Sequence, residues 1–171
     1  MFKGYVQVYT GNGKGKTTAA VGQIVRAVGR GLRVFFAQFI KSKETGELIA
    51  LRSFGDLIVC KQYGRGFVFG KPSTEDIEAA RVGFNEVTSA VLSGQYQIVV
   101  LDEINAAVSA GLIESSTLVA LIHNKPPDVE LILTGRAAAD EVLACADLVT
   151  ECKEVKHYYN STVAAREGIE F

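Results

Sequence analysis

The alternation of apolar and polar positions divides the chain into strand-like and helix-like stretches. Apolar segments predict strands at residues 5–9, 33–39, 57–62, 97–101, 130–133 and 147–151. Four of them are continuous apolar runs, which suits strands covered on both faces, as in a parallel sheet. Helical periodicity follows the first strand from 16 to 30, with Gly31 as its stop. It is clearest from 74 to 92, where Ile77, Ala80, Phe84, Val87 and Val91 recur at spacings of three and four as one expected buried stripe. Ser73 caps that helix, and Asp76 three residues on completes a variant of the capping box. Shorter helices are expected near 116–123 and 138–146, and Pro126-Pro127 marks a turn between elements. Residues 41–54 are polar and read as a loop with room for a short helix. Strands alternating with helices predict an α/β domain with helices on both faces of the sheet, spanning residues 1–171 as a single unit.

Composition narrows the classes of partner. Lys+Arg and Asp+Glu number 18 and 19, a net charge of −1, so there is no global attraction for nucleic acid or an anionic membrane. No apolar run approaches the roughly 20 residues of a membrane helix, and the opening residues lead into a strand pattern, not a signal peptide. Cys60, Cys145 and Cys152 form no Cys-x-x-Cys pair, and Cys60 and Cys145 read as small core residues. The expected setting is a reducing cytoplasm.

The candidate chemistry begins at residues 10–18, Thr-Gly-Asn-Gly-Lys-Gly-Lys-Thr-Thr. Gly15-Lys16-Thr17 match the end of the phosphate-binding motif G-x-x-x-x-G-K-[ST]; Thr10 stands where its first glycine belongs, and Gly11 and Gly13 supply flexibility instead. Glycines let successive backbone N–H groups converge on phosphate oxygens, and the following helix points its positive end at the same anion. Lys16 adds a mobile charge, and the Thr17 hydroxyl is a Mg²⁺ ligand type. The competing interpretation is a glycine-rich surface turn; the strand before and the helix after disfavour it. A second feature closes the fourth strand: Ile98-Val99-Val100-Leu101 runs into Asp102-Glu103, two carboxylates suited to a hydrated Mg²⁺.

With these residues the chain resembles the P-loop ATP:corrinoid adenosyltransferases of the CobA/BtuR type. The matching pieces are Gly11 to Thr18, Gln38-Phe39-Ile40-Lys41, Gly66-Phe67, Val100-Leu101-Asp102-Glu103, Thr134-Gly135-Arg136, Val155-Lys156-His157 and Gly168-Ile169. The offset first glycine is itself a feature of that family. The resemblance implies a RecA-like P-loop domain with a mostly parallel six-stranded sheet, strand order 3-2-4-5-1-6, the last strand antiparallel, and ligand sites at the carboxyl ends of the strands. It implies transfer of the 5′-deoxyadenosyl group of ATP to the Co(I) centre of a corrinoid, with release of triphosphate. ATP is held reversed compared with other P-loop proteins.

Residue roles follow by the same resemblance. Gly11, Asn12, Gly13, Lys14, Gly15, Lys16, Thr17 and Thr18 hold the triphosphate, with Arg136 at phosphate or ribose. Thr17 and Glu103 resemble the family's Mg²⁺ ligands, with Asp102 acting through water; Lys16, Thr17 and Glu103 are the expected catalytic set. Phe67 and Phe69 stand where the family uses Phe and Trp beneath the corrin, where aromatic bulk displaces the lower axial ligand and makes Co(II) easier to reduce. His157 is not expected to ligate cobalt, since this chemistry removes the lower ligand. A homodimer and a flavoprotein reductant are also implied. Two other readings stay open at this point: a small P-loop ATPase or kinase, and a non-catalytic ATP-binding protein.

Overall fold

Three strands take the most apolar segments into the centre of one sheet. The computed structural model describes residues 2–66, 68 and 70–171. Its strands are β1 (Val6–Thr10), β2 (Val34–Phe39), β3 (Ile58–Tyr63), β4 (Ile98–Asp102), β5 (Glu130–Thr134) and β6 (Leu148–Glu151). Every residue of β2, β4 and β5 is buried, whereas β6 is exposed throughout. The sheet order is β3-β2-β4-β5-β1-β6, so the uninterrupted apolar runs are the inner strands and β6 is an edge.

The helices are α1 (Lys16–Val28), α2 (Gly46–Arg52), α3 (Thr74–Leu92), α4 (Ile104–Ser109), α5 (Ser115–Asn124) and α6 (Asp140–Ala144). The period of two divides each inner strand between two cores. Phe35, Ala37, Val99, Leu101, Leu131 and Leu133 join a cluster with α3, α4 and α5. Val34, Phe36, Ile98, Val100 and Ile132 join Ala20, Ile24, Leu48 and Leu51 of α1 and α2 on the other face. Each fully buried side chain of this kind contributes about 1.5–3 kcal/mol relative to exposure.

The expected strand order is found, and one expectation fails. β6 pairs with β1 in parallel, with Gln7 opposite Leu148 and Val8 opposite Val149, not antiparallel. The α6 crossover returns the chain to the starting end of the sheet, which a parallel neighbour requires. The buried stripe of α3 begins at Ala80; Ile77, in the first turn, is 41% exposed. The Ser73–Asp76 capping box is formed in both directions. α1 ends at Val28, two residues short of the expected stop, and Gly31 (φ +74°) donates its N–H to the Val28 carbonyl. Cys60 and Cys145 are only half-buried, flanking the two cores instead of filling them. Among the described residues, no helix is long and apolar enough to cross a membrane.

Candidate active site

The ends of β1, β2, β4 and β5 deliver the chemistry to one rim of the sheet. The turn after β1 is shaped by its glycines. Gly15 has φ +122°, a conformation that L side chains rarely adopt, and it leads directly into α1. Gly13 is required for closeness: a Cβ there would stand 2.7 Å from the Cys152 carbonyl oxygen and 2.8 Å from the Lys153 carbonyl. The Gly13 N–H donates to that Cys152 oxygen across 2.6 Å. Thr10, in the place of the motif's first glycine, has a job of its own. Its Oγ1 accepts the Ala138 N–H at 3.2 Å and ties the end of β1 to the turn after β5.

Lys16, the first residue of α1, is buried, and its Nζ donates to the Gly13 carbonyl at 2.8 Å, curling across the loop it is expected to serve. Burial pushes its pKa down, Arg136 adds to that, and Glu103, Cys152 and Asp102 act in the opposite direction. Asn12, Lys14 and Thr18 are exposed around the loop. Lys14 Nζ donates to the Ile169 carbonyl at 2.7 Å.

Asp102 closes β4 and is wholly buried. Its Oδ1 accepts from Thr17 Oγ1 and from Thr134 Oγ1, each at 2.7 Å. Its Oδ2 accepts from Gln38 Nε2 at 3.1 Å and lies 3.4 Å from Lys41 Nζ. The carboxylate is therefore saturated by donors from α1, β2 and β5, and direct ligation of a metal by Asp102 would cost some of those bonds. Glu103, the next residue, sits in the left-handed region (φ 61°, ψ 17°) and starts α4. Its N–H donates to Thr134 Oγ1 at 3.0 Å, so one threonine holds both acids. The Glu103 carboxylate accepts no hydrogen bond among the described residues. Its pKa is pushed up by burial first and by Asp102 second, against the pull of Lys41, Lys16 and Arg136.

A polar layer that the sequence did not reveal backs this pair. Gln38 is fully buried; its Nε2 also donates to Glu47 Oε1 at 2.8 Å, and its Oε1 accepts from Thr45 and Gln62 at 3.3 Å. Lys41 Nζ bonds Glu47 Oε1 at 3.1 Å. Burial opposes the Lys41 charge, yet Asp102 and Glu47 outweigh it and its pKa rises. Burial likewise opposes the Glu47 charge, and Lys41 and the hydrogen bonds outweigh it, so the Glu47 pKa falls. Gln38 and Lys41 were visible only through the family resemblance. Glu47 carried no signal, because its role depends on the start of α2 folding back onto the end of β2.

Arg136 follows Gly135 (φ +131°) on an exposed turn; it makes no hydrogen bond among the described residues, and its charge is felt by Lys16 and Glu103. Phe67 and Phe69 lie outside the described residues. Between them Val68 is half-buried and packs on the core, and Gly64 and Gly66 have positive φ. An open cleft between the end of β3 and α3, lined by Tyr63, Gly64, Thr74, Glu78, Ala79 and Val82, adjoins this segment.

Thr17, Asp102 and Glu103 present hard oxygen donors of the kind Mg²⁺ takes. No group of three or more His, Cys, Asp or Glu able to hold a metal exists among the described residues. Mg²⁺ keeps several waters and takes one or two protein oxygens plus phosphate oxygens. Thr17 retains free lone pairs after donating to Asp102, and Glu103 offers a carboxylate without a hydrogen-bond partner among the described residues, whose raised pKa a cation would relieve. The residues fit.

The solved structure of KaiC-like protein PH0186 from Pyrococcus horikoshii OT3 matches this fold with a TM-score of 0.58 at 19% identity, covering 87% of this chain and 73% of that one. It supports the RecA-like fold alone. In sequence the chain is 34% identical to a corrinoid adenosyltransferase of Pseudomonas aeruginosa over 171 residues, covering 99% of this chain and 84% of that protein. A corrinoid adenosyltransferase of Escherichia coli K12 is 33% identical, with 99% and 86% covered. The profile of the ATP:corrinoid adenosyltransferase BtuR/CobO/CobP family matches residues 2–171. The chain belongs to the ATP:corrinoid adenosyltransferase family.

Proposed function

We propose that this chain transfers the 5′-deoxyadenosyl group of ATP to the cobalt of a reduced corrinoid and releases triphosphate. The observation that carries the reading is the junction of Thr17 with Asp102 at 2.7 Å, which sets a phosphate loop against an acidic strand end in a chain of this family. Cobalt(I) of the substrate supplies an electron pair to C5′ of the ribose. The C5′–O bond breaks, and its pair leaves with the triphosphate oxygen. Negative charge therefore grows on the departing triphosphate, and donors aimed at it stabilise the transition state more than the ground state.

The chain's own residues serve that leaving group. The triphosphate is assigned to the Gly11–Gly15 turn and the start of α1, where the helix N-terminus favours an anion and Lys16 and Lys14 bring two ammonium groups, while the Gly13 N–H stays on the Cys152 carbonyl. Thr18 and Asn12 stand at the exposed edge of the same loop, and Arg136 completes the positive rim. Thr17 and Glu103 would hold Mg²⁺, which when bound offsets charge on the phosphate oxygens. Asp102 acts behind them by fixing the Thr17 hydroxyl. Phe67 and Phe69 are assigned to the lower face of the corrin, where bulk excludes an axial ligand.

A homodimer, a cytoplasmic location and a soluble flavoprotein as electron donor complete the reading; they rest on family likeness. The deciding experiment is incubation with ATP, Mg²⁺ and chemically reduced corrinoid, with identification of the inorganic product. Triphosphate with a new cobalt–carbon bond supports the proposal; ADP with phosphate refutes it in favour of an ATPase or kinase.

A further inference from the structure

Cys152 donates its N–H to the Thr10 carbonyl at 2.8 Å, and the residues after it cross the phosphate loop without joining the sheet. Apolar packing does little to hold them: Val155 is 88% exposed, Tyr159 75%, Ile169 54% and Phe171 49%. Polar contacts hold them instead, at two places on the loop. The first is the bond from Gly13 N–H to the Cys152 carbonyl. The second is Lys14, whose Nζ reaches the Ile169 carbonyl at 2.7 Å and Glu170 Oε1 at 3.5 Å.

Glu170 organises residues 166–171 into a small knot. Its carboxylate accepts from the Tyr158 hydroxyl, from the Arg166 N–H at 2.8 Å, and from Arg166 Nε and Nη2 at 3.3 Å each. The Gly168 N–H donates to the Phe171 carbonyl at 2.8 Å, and the Glu170 N–H to the Arg166 carbonyl at 2.9 Å. Arg166 and Tyr158 hold the Glu170 carboxyl down at about 2, so it is an anion across the physiological range. At the far side Phe171 lies against Gly46, whose absent Cβ would be 3.8 Å from the Phe171 carbonyl oxygen. Gly46 precedes Glu47, so the knot spans from the phosphate loop to the start of α2.

Lys14 thus serves two anionic clients. It belongs to the loop that receives a polyphosphate, and here it is committed to a carboxylate and a carbonyl. An exposed ion pair of this kind is weak and readily outcompeted. A triphosphate carries several charges against one, and Glu170 close beside it would be repelled. We propose that Lys14 is a latch between the phosphate loop and the 166–171 knot, and that bound triphosphate competes with the knot for its ammonium group. Nucleotide then releases the knot from the loop and from Gly46, while the Cys152 attachment keeps residues 152–171 tethered nearby. The inference rests on the reading that the triphosphate of ATP lies in the Gly11–Thr18 loop.

The test uses the full chain, with ATP binding measured by calorimetry and backbone exchange followed by mass spectrometry. Glu170→Gln should bind ATP about threefold or more tightly than the native chain; unchanged or weaker binding would overturn the latch. In the native chain, saturating ATP should speed exchange at the Gly168 and Glu170 amides, and adenosine should not. Unchanged or slowed exchange with ATP, or an equal effect of adenosine, overturns it too. Failure of the native chain to bind ATP at all would refute the underlying nucleotide reading along with the latch. Intact ATP binding with an indifferent Glu170→Gln variant would refute the latch alone.

Discussion

Thr17 donates its hydroxyl hydrogen to Asp102 Oδ1 across 2.7 Å, and this bond joins the start of α1 to the end of β4. The residues are 85 apart in sequence, yet sheet order leaves only β5 between β1 and β4. Thr134 at the end of that intervening strand donates to the same oxygen, so one carboxylate locks the start of α1 to the ends of β4 and β5. Asp102 is therefore as much a structural residue as a chemical one.

Asp102→Ala should destabilise the fold by about 3 kcal/mol, because Thr17, Thr134, Gln38 and Lys41 all lose a buried partner. Urea unfolding measures this. A loss below about 0.5 kcal/mol, the range of an ordinary surface substitution, would contradict the network described here.

Lys16→Ala should weaken binding of tripolyphosphate and of ATP by about tenfold or more, since a charge-assisted contact to phosphate is lost. The loop backbone should survive, because Lys16 donates only to Gly13 within it. Normal affinity measured by calorimetry would refute the assignment of the loop.

Glu103→Gln should raise the Mg²⁺ concentration needed for turnover while leaving corrinoid binding without ATP nearly unchanged. Equal loss of both would indicate misfolding. A second readout is stability in metal-free buffer. The Glu103 pKa is raised in the folded state by burial and by Asp102. The native state therefore binds the proton more tightly than the unfolded chain does, and stability falls as pH rises from the unfolded pKa through the folded one. The Gln variant escapes this loss. It should be more stable than the native chain at neutral pH, and the difference should vanish below the unfolded carboxyl pKa of about 4.3. A difference that grows on acidification would contradict the assignment.

Phe67→Ala combined with Phe69→Ala should spare reaction with chemically prepared Co(I) corrinoid and impair reaction that starts from Co(II) with a reductant. Rates for the two substrates measure this; equal impairment of both would mark the aromatics as packing residues.

Much of this architecture was legible in the chain. The inner strands announced themselves because β2, β4 and β5 are buried on both faces; β2 and β4 stay apolar until near their carboxyl ends, and β5 is apolar between Glu130 and Thr134. α3 was readable to the residue because Ser73 and Asp76 form a true capping box. Other features arise only from tertiary contact. α4 has no side-chain cap and begins from a left-handed Glu103 that Thr134 holds in place. The direction of β6 is set by the α6 crossover, and its four exposed residues carry no orientation signal. Glu47 gains its meaning from Lys41 and Gln38, and Glu170 from Lys14, 156 positions away (170 − 14). Local pattern finds elements and the phosphate loop; it does not find partners that meet across the rim of a sheet.

The most direct measurement is the phosphorus product of a single turnover with ATP, Mg²⁺ and Co(I) corrinoid, read by ³¹P resonance alongside the corrinoid's visible spectrum. The account predicts free tripolyphosphate in equal amount to a light-sensitive alkylcobalt species. ADP and inorganic phosphate, with the corrinoid unalkylated, would contradict it.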